Sequence, residues 1–245
     1  MNKNIKKVLV TTLCVGGLFS LAGCDLTNLF NNKERTVNDA VDAITDSAVV
    51  TKEGLFRSEK VFNVNGTNVS YVFTFDKEGG LEMKNLKDDS KENYTYKVID
   101  NLIELKQDDV IKTYLDYCTN DNLIFWPKYN VNETTGKKTY TGGLTGVLEG
   151  VVASEKGTGT AGLHIEINLE KGSLPAKLTA EKNSAGYCYR IKKNGTFDDK
   201  PYKYIASDAI PSSEFDTSEV GTHLVNVTIS SKTYKAEFRV YDKID

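Results

Sequence analysis

Phe73-Thr74-Phe75-Asp76-Lys77-Glu78-Gly79-Gly80-Leu81 (FTFDKEGGL) returns twice in altered form, as Tyr94–Leu102 (YTYKVIDNL) and Leu115–Leu123 (LDYCTNDNL). Each copy opens on two large apolar residues one apart and closes on a leucine six residues after the second. Successive copies lie 21 residues apart. Two strands of ordinary length and two turns fill such a period. The turns are marked by Asp76-Lys77-Glu78-Gly79, Ile99-Asp100-Asn101 and Thr119-Asn120-Asp121-Asn122. A period in this range also suits solenoids and propellers. Three imperfect copies are too few for a propeller, so the spacing predicts an antiparallel meander. About eight strands can be counted between Leu55 and Ala153, with a hairpin signal at Asn65-Gly66. A meander of that length removes its edges best by closing into a barrel.

Upstream, Val37, Ala40, Val41, Ile44 and Ala48 recur at helical spacing behind an N-cap-like Thr36, which predicts one short amphipathic helix over about 37–49. Downstream, Pro127 to Gly143 is polar and rich in Gly and Thr. It reads as a long loop, either a binding loop or disordered, with Tyr129 and Tyr140 placed for a surface contact. Leu144 to Ala153 then closes the first domain, assigned to 36–156.

Gly157-Thr158-Gly159-Thr160-Ala161-Gly162 has the spacing of a dinucleotide fingerprint. That fingerprint needs a helix after it. Leu163 to Leu169 instead alternates at period two, so the nucleotide reading is rejected and the glycines are a loop or linker. Residues 157–245 continue as short strands between turns, which suits a β-sandwich. Leu174 to Ala180 is one expected strand. Tyr187, Tyr189 and Ile191 lead to a turn at Asn194-Gly195. Leu163, Ile165, Ile167 and Leu169 share a face, as do Val225, Val227 and Ile229. Tyr234, Ala236, Phe238 and Val240 share another, with Lys235, Glu237 and Arg239 expected to face out. The fold class expected is therefore mainly β: a barrel-like meander with one short helix, then a sandwich.

The chain starts with Lys3, Lys6 and Lys7, runs apolar from Val8 to Leu21, and reaches Leu21-Ala22-Gly23-Cys24 before turning polar at Asp25. The apolar run is short of the ~20 residues of a membrane-spanning helix. The stretch resembles the signal peptide and lipobox of bacterial lipoproteins. The resemblance implies cleavage after residue 23, a diacylglyceryl thioether on Cys24, a tether over 24–35, and residence at the extracytoplasmic face of the cell membrane. Two or more acyl chains anchor stably where one does not. The alternatives are an ordinary signal peptide with a chance cysteine, or a short membrane anchor.

Two further resemblances concern the body of the chain. Phe75 to Gly79, Tyr94 to Tyr96 and Asp100 to Leu105 resemble the lipocalin-like domains of small bacterial lipoproteins, and the opening helix is compatible with half-barrel lipid carriers. Either implies an apolar ligand inside the barrel; a barrel filled by its own side chains is the alternative. Phe215-Asp216-Thr217-Ser218-Glu219-Val220-Gly221-Thr222, with Val225, Val227, Ile229 and the last strand, resembles a bacterial immunoglobulin-like domain of group 3. That resemblance implies a spacer, stalk or adhesive module, with Thr217 and Ser218 capping a turn that Gly221 lets the backbone leave.

Charge and chemistry narrow the classes. Of 31 basic residues three leave with residues 1–23, so 28 stand against 34 acids and the net charge is −6. This does not suit a nucleic-acid partner. Cys14 leaves with the signal, so Cys118 and Cys188 remain either as a disulfide or as two buried thiols. The two histidines, His164 and His223, both fall in expected strands without a motif around them. Asp88-Asp89 and Asp108-Asp109 sit between strands and lack the spaced ligands of a calcium loop. No catalytic residue, cofactor or metal ligand is assigned, and an enzyme is not expected. The expectation is a membrane-anchored surface module that binds an unknown protein or glycan, or alternatively carries an apolar ligand.

Overall fold

The computed structural model describes residues 59–65, 70–118, 121–151, 157, 159–173, 186–206, 209–210, 214 and 216–244. The expected helix, the lipobox with Cys24, the tether and the Leu174–Ala180 strand lie outside these residues.

The first eight strands are β1 (Lys60–Asn65), β2 (Ser70–Phe75), β3 (Gly80–Asn85), β4 (Lys91–Ile99), β5 (Leu102–Gln107), β6 (Val110–Cys118), β7 (Leu123–Val131) and β8 (Lys138–Leu148). Each pairs antiparallel with the next, and β8 returns to β1, so that the meander closes into a barrel. The expected closure is thus present. The turns follow from side chains that replace backbone partners. Asp76 Oδ1 accepts from the N–H of Glu78 at 2.9 Å and of Gly80 at 2.7 Å. Gly79 takes a positive φ of 97°. Asp108 and Asp109 both sit at positive φ in the β5–β6 turn, a conformation that aspartate tolerates better than most residues.

The interior is packed with side chains. Phe62, Phe73, Phe75, Leu81, Met83, Tyr96, Ile103, Leu105, Leu115, Tyr117 and Ile124 form one buried cluster. Ring edges meet ring faces at Phe62–Phe75 (5.7 Å) and Phe75–Tyr96 (5.1 Å), the geometry that aromatic quadrupoles favour. The hydroxyl of Tyr96 donates to the Asp76 carbonyl at 2.5 Å, tying this core to the first repeat turn.

The repeat keeps its spacing but not its faces. Phe75 pairs with Leu81, so both point inward. In the second and third copies Tyr96 pairs with Leu105 and Tyr117 with Ile124. Leu102 and Leu123 therefore fall on the outer face. The cause is turn length: a hairpin whose register changes by one residue moves its second strand's side chains across the sheet.

The stretch from Pro127 to Gly143, expected as a loop, is strand over most of its length. Tyr129 pairs with Tyr140 and Val131 with Lys138, leaving a turn at 132–137. Gly143 is needed inside this ladder, because a Cβ there would stand 2.3 Å from the Phe125 ring. Gly143, which resembled a loop glycine, is a position where strands crowd, while Gly136 belongs to the turn with φ 72°.

The remaining strands are β9 (Thr160–Glu170), β10 (Gly186–Lys192), β11 (Lys203–Ile205), β12 (Gly221–Ile229) and β13 (Lys232–Tyr241). Among the described residues they form one five-stranded sheet in the order β11-β10-β9-β13-β12, with β9 and β13 parallel. The Asn194-Gly195 turn is where the dipeptide placed it: Asn194 Oδ1 accepts from Thr196 N–H, and Gly195 has φ 79°. At the later turn, Asp216 Oδ1 accepts from Ser218 N–H, while the Thr217 hydroxyl donates to the Ser173 carbonyl. The cap is thus the aspartate one residue before the expected pair.

One face of the sheet is apolar. Leu163, Ile165, Ile167, Cys188, Val225, Val227, Ala236, Phe238 and Val240 form its core. The other face lies against the outside of the barrel, and barrel and sheet belong to one compact unit. Glu237, expected to face out, is turned toward the barrel there, with its side chain 13% exposed, and is bonded to Lys138 at 2.5 Å. Lys235 N–H donates to Asn101 Oδ1 at 2.7 Å. The alternation along β13 is present, but both faces of the strand are covered. Cys118 and Cys188 are free, buried thiols. Cys188 pairs with Ile165 on the apolar face, while Cys118 touches the position of Gly162 on the barrel side, so the sheet itself separates them.

Candidate functional site

The barrel's outer wall offers Asp116 and Cys118 from β6, Leu123, Phe125 and Tyr129 from β7 and Tyr140 from β8. The sheet presents His164 and Glu166 from β9, Tyr189 and Ile191 from β10 and Glu237 and Arg239 from β13. The apolar members exclude water, so the polar ones must satisfy each other.

At the centre, His164 Nδ1 lies 2.8 Å from Asp116 Oδ2, and its Nε2 lies 2.9 Å from the Tyr129 hydroxyl. The His164 and Asp116 side chains are only 5% and 7% exposed. Burial opposes the charged imidazole. The Asp116 carboxylate, its hydrogen bond, and Glu166 and Glu237 nearby outweigh it, and the His164 pKa is raised. Burial also raises the Asp116 pKa, with His164 pulling the other way. An imidazolium donating from Nδ1 to Asp116 and from Nε2 to the Tyr129 oxygen fits this balance. Rings hold the imidazole in place: Tyr140 lies 5.2 Å from it and Tyr189 stacks near-parallel at 6.0 Å. Tyr129 and Tyr140, expected at a surface contact, thus serve an internal one.

Beside this network Glu166 Oε1 accepts from Asn168 Nδ2 at 2.6 Å. Glu166 Oε2, Asn168 Oδ1 and Arg239 Nε are buried without partners. They border a void of about 10 Å³, the size class of a single water. Burial pushes the Glu166 carboxyl up to about 7.

The network's outer end opens into a cleft of about 370 Å³ between barrel and sheet. Asn101, Asp116, Tyr117, Cys118 and Asp121 line it from the barrel. Thr160 to Leu163, Lys193, Lys232 and Tyr234 line it from the sheet. The volume falls in the range of small-molecule sites, though with more polar walls than most. Burial pushes the Cys118 thiol pKa far up, so the sulfur is neutral and no nucleophile. The barrel's own mouth is smaller, about 70 Å³ beside Tyr71, Met83, Glu92 and Trp126. Lys128 Nζ sits over the Trp126 ring there, and burial brings its pKa down to about 8.

Of the residues singled out in the sequence, Cys24 lies outside the described residues. His164 is buried in the network, and His223 is exposed, 6.1 Å from the Phe238 ring. Asp88, Asp108 and Asp109 are in turns, and Asp89 follows the first of these in the β3–β4 connection. Among the described residues no three His, Cys, Asp or Glu side chains converge as a metal site, and no helix is long and apolar enough to cross a membrane. Asp116, Lys193 and Lys232 were not singled out. The only sequence signal for Asp116 is an acid at a position where the strand alternation continues into apolar Cys118 and, across the turn, Leu123.

No known protein family matches this chain, and neither a curated protein nor a solved structure matches it.

Proposed function

We propose that this chain is a lipoprotein of the bacterial cell envelope, anchored through lipid on Cys24 at the extracytoplasmic face, and that its body is a binding module rather than an enzyme. The anchor rests on the basic start, the apolar run and Leu21-Ala22-Gly23-Cys24. Residues 157–245 are read as a divergent immunoglobulin-like module on the strength of Phe215 to Thr222 and the alternation of the last two strands. The observation that carries the binding reading is the cleft of about 370 Å³ beside a barrel whose interior is packed with its own rings. A carrier of an apolar ligand would need that interior hollow. Recognition is therefore assigned to the outside of the barrel, with an unknown protein or glycan as partner and no nucleic acid.

The anchor is tested by expressing the full chain and its Cys24→Ala variant in a lipoprotein-processing bacterium and fractionating the membranes. The wild type should sediment with membranes and take up labelled palmitate. The variant should lose the label and appear in the soluble fraction. Retention of the variant on membranes would defeat the anchor.

A further inference from the structure

We propose that the barrel–sheet cleft binds a small carboxylate-bearing molecule, of sugar-acid or amino-acid size, through Lys193 and Lys232. The proposal rests on the binding-module reading and gives that module a ligand class.

The charges of the cleft do not cancel. Its acidic and basic walls are Asp116, Asp121, Lys193 and Lys232. Asp116 is answered from behind by His164 at 2.8 Å. Asp121 and Lys193 stand 3.7 Å apart, a loose pair with the lysine half exposed. The nearby Lys235 is opposite Asp100 at 4.0 Å. Lys232 has no ion-pair partner among the described residues. One ammonium is left over. An ammonium offers three donors and no acceptor, so its complement is an anion with acceptor oxygens. A carboxylate meets that need and can share itself between two lysines, with a charge-assisted bond to each.

The floor and walls set the ligand's size. Gly162 closes the floor: a Cβ there would stand 2.4 Å from Cys118 Sγ, so only glycine lets β9 lie this close to β6. The thiol beneath is neutral and adds no negative charge to repel an anion. The Tyr234 ring and the Thr160 side chain supply an apolar face and a hydroxyl for the ligand's body. A cavity of about 370 Å³ holds one monosaccharide or amino acid, so a glycan or protein partner enters it by a single terminal unit. The two possible sources, a sugar acid and a peptide terminus, share the carboxylate.

The experiment is isothermal titration of the full chain in mild detergent with glucuronate, N-acetylalanine and, as the neutral counterpart, glucose. At least one carboxylate should bind saturably, and glucose should not. Which of the two binds identifies the source. Lys232→Ala and Lys193→Ala alter solvent-exposed side chains, and each should weaken binding about tenfold, the scale of one lost charge-assisted bond. Lys87→Ala, on an exposed turn, should change nothing. Far-UV circular dichroism confirms that the variants fold. No saturable binding of either carboxylate, equal binding of glucose, or full affinity in both cleft variants would overturn the proposal. Membrane fractionation reads the anchor separately, so either idea can fail alone.

Discussion

Asp116 and His164 are 48 residues apart in sequence and 2.8 Å apart in space. Neither would be tolerated alone in a wall of aromatic and aliphatic side chains, since a buried charge must be paired. The pairing has a consequence for pH. The folded state raises the pKa of His164 and that of Glu166, the latter from 4.5 to about 7. Folding therefore takes up protons. The stability each group contributes is complete below its unfolded pKa and is lost as pH climbs through the folded one. For Glu166 that window runs from 4.5 to about 7, and the loss is of order 3 kcal/mol at most. His164 extends the decline above 6.5. The exposed carboxylates whose pKa is lowered, Asp88 and Asp216 among them, act on the acid side and do not offset it. Urea unfolding at pH 5 and pH 8 should show the wild type weaker at pH 8. Glu166→Gln keeps a side chain that can still meet Asn168 and removes the titration. It should flatten the difference, gaining on the wild type as pH rises. Parallel pH profiles for the two proteins would mean that Glu166 does not titrate in this window.

Among the elements, β9 and β10 approach each other closely at Gly186. A Cβ on Gly186 would fall 2.0 Å from the Glu166 carbonyl oxygen, and backbone cannot swing aside as a side chain can. Gly186→Ala should cost about 1–3 kcal/mol, the usual penalty of overpacking, and loosen the β10 end where Tyr187 and Tyr204 meet at 5.6 Å. Thermal unfolding measures it, with Gly172→Ala for comparison: that glycine has open space around it, so the cost there comes from its φ of 76° and not from a clash. Such crowding explains what could and could not be read from the sequence. The hairpins were legible because Phe73, Phe75, Tyr94, Tyr96, Leu115 and Tyr117 alternate against polar neighbours. The faces of Leu102 and Leu123 were not, because one residue of turn length inverts a strand and no composition records it. Pro127 to Gly143 was misread because glycines placed for close approach look like loop glycines. Lys235, Glu237 and Arg239 alternate as a solvent face does, yet the barrel covers them. The candidate site suffered most: His164 stood out as a strand histidine, but its partners Asp116 and Tyr129 come from distant strands, and no local pattern links them.

At the scale of the molecule, the question is whether barrel and sheet stand or fall together. Their contact is more than a seam. Cys118, Leu123, Phe125 and Ile191 form a shared apolar cluster, and the Asp116–His164–Tyr129 chain and the Lys138–Glu237 pair cross the same boundary. Separation would expose Phe125 and strand Asp116 without its counter-ion, so a barrel freed of the sheet loses stability that it needs. The expected result is one cooperative transition. The chain supplies a probe for each half. Trp126, its single tryptophan, packs against the barrel core, and Cys188 lies in the apolar core of the sheet. In residues 25–245 carrying Cys118→Ser, tryptophan fluorescence and thiol labelling of Cys188 should give the same denaturation midpoint. Labelling of Cys188 at lower urea than the fluorescence change would show that the sheet opens first and the barrel survives it. Coincidence of the two would mean that the cleft exists only while both halves are folded. A ligand in it would then stabilise the whole unit, and binding would register as a rise in that single midpoint.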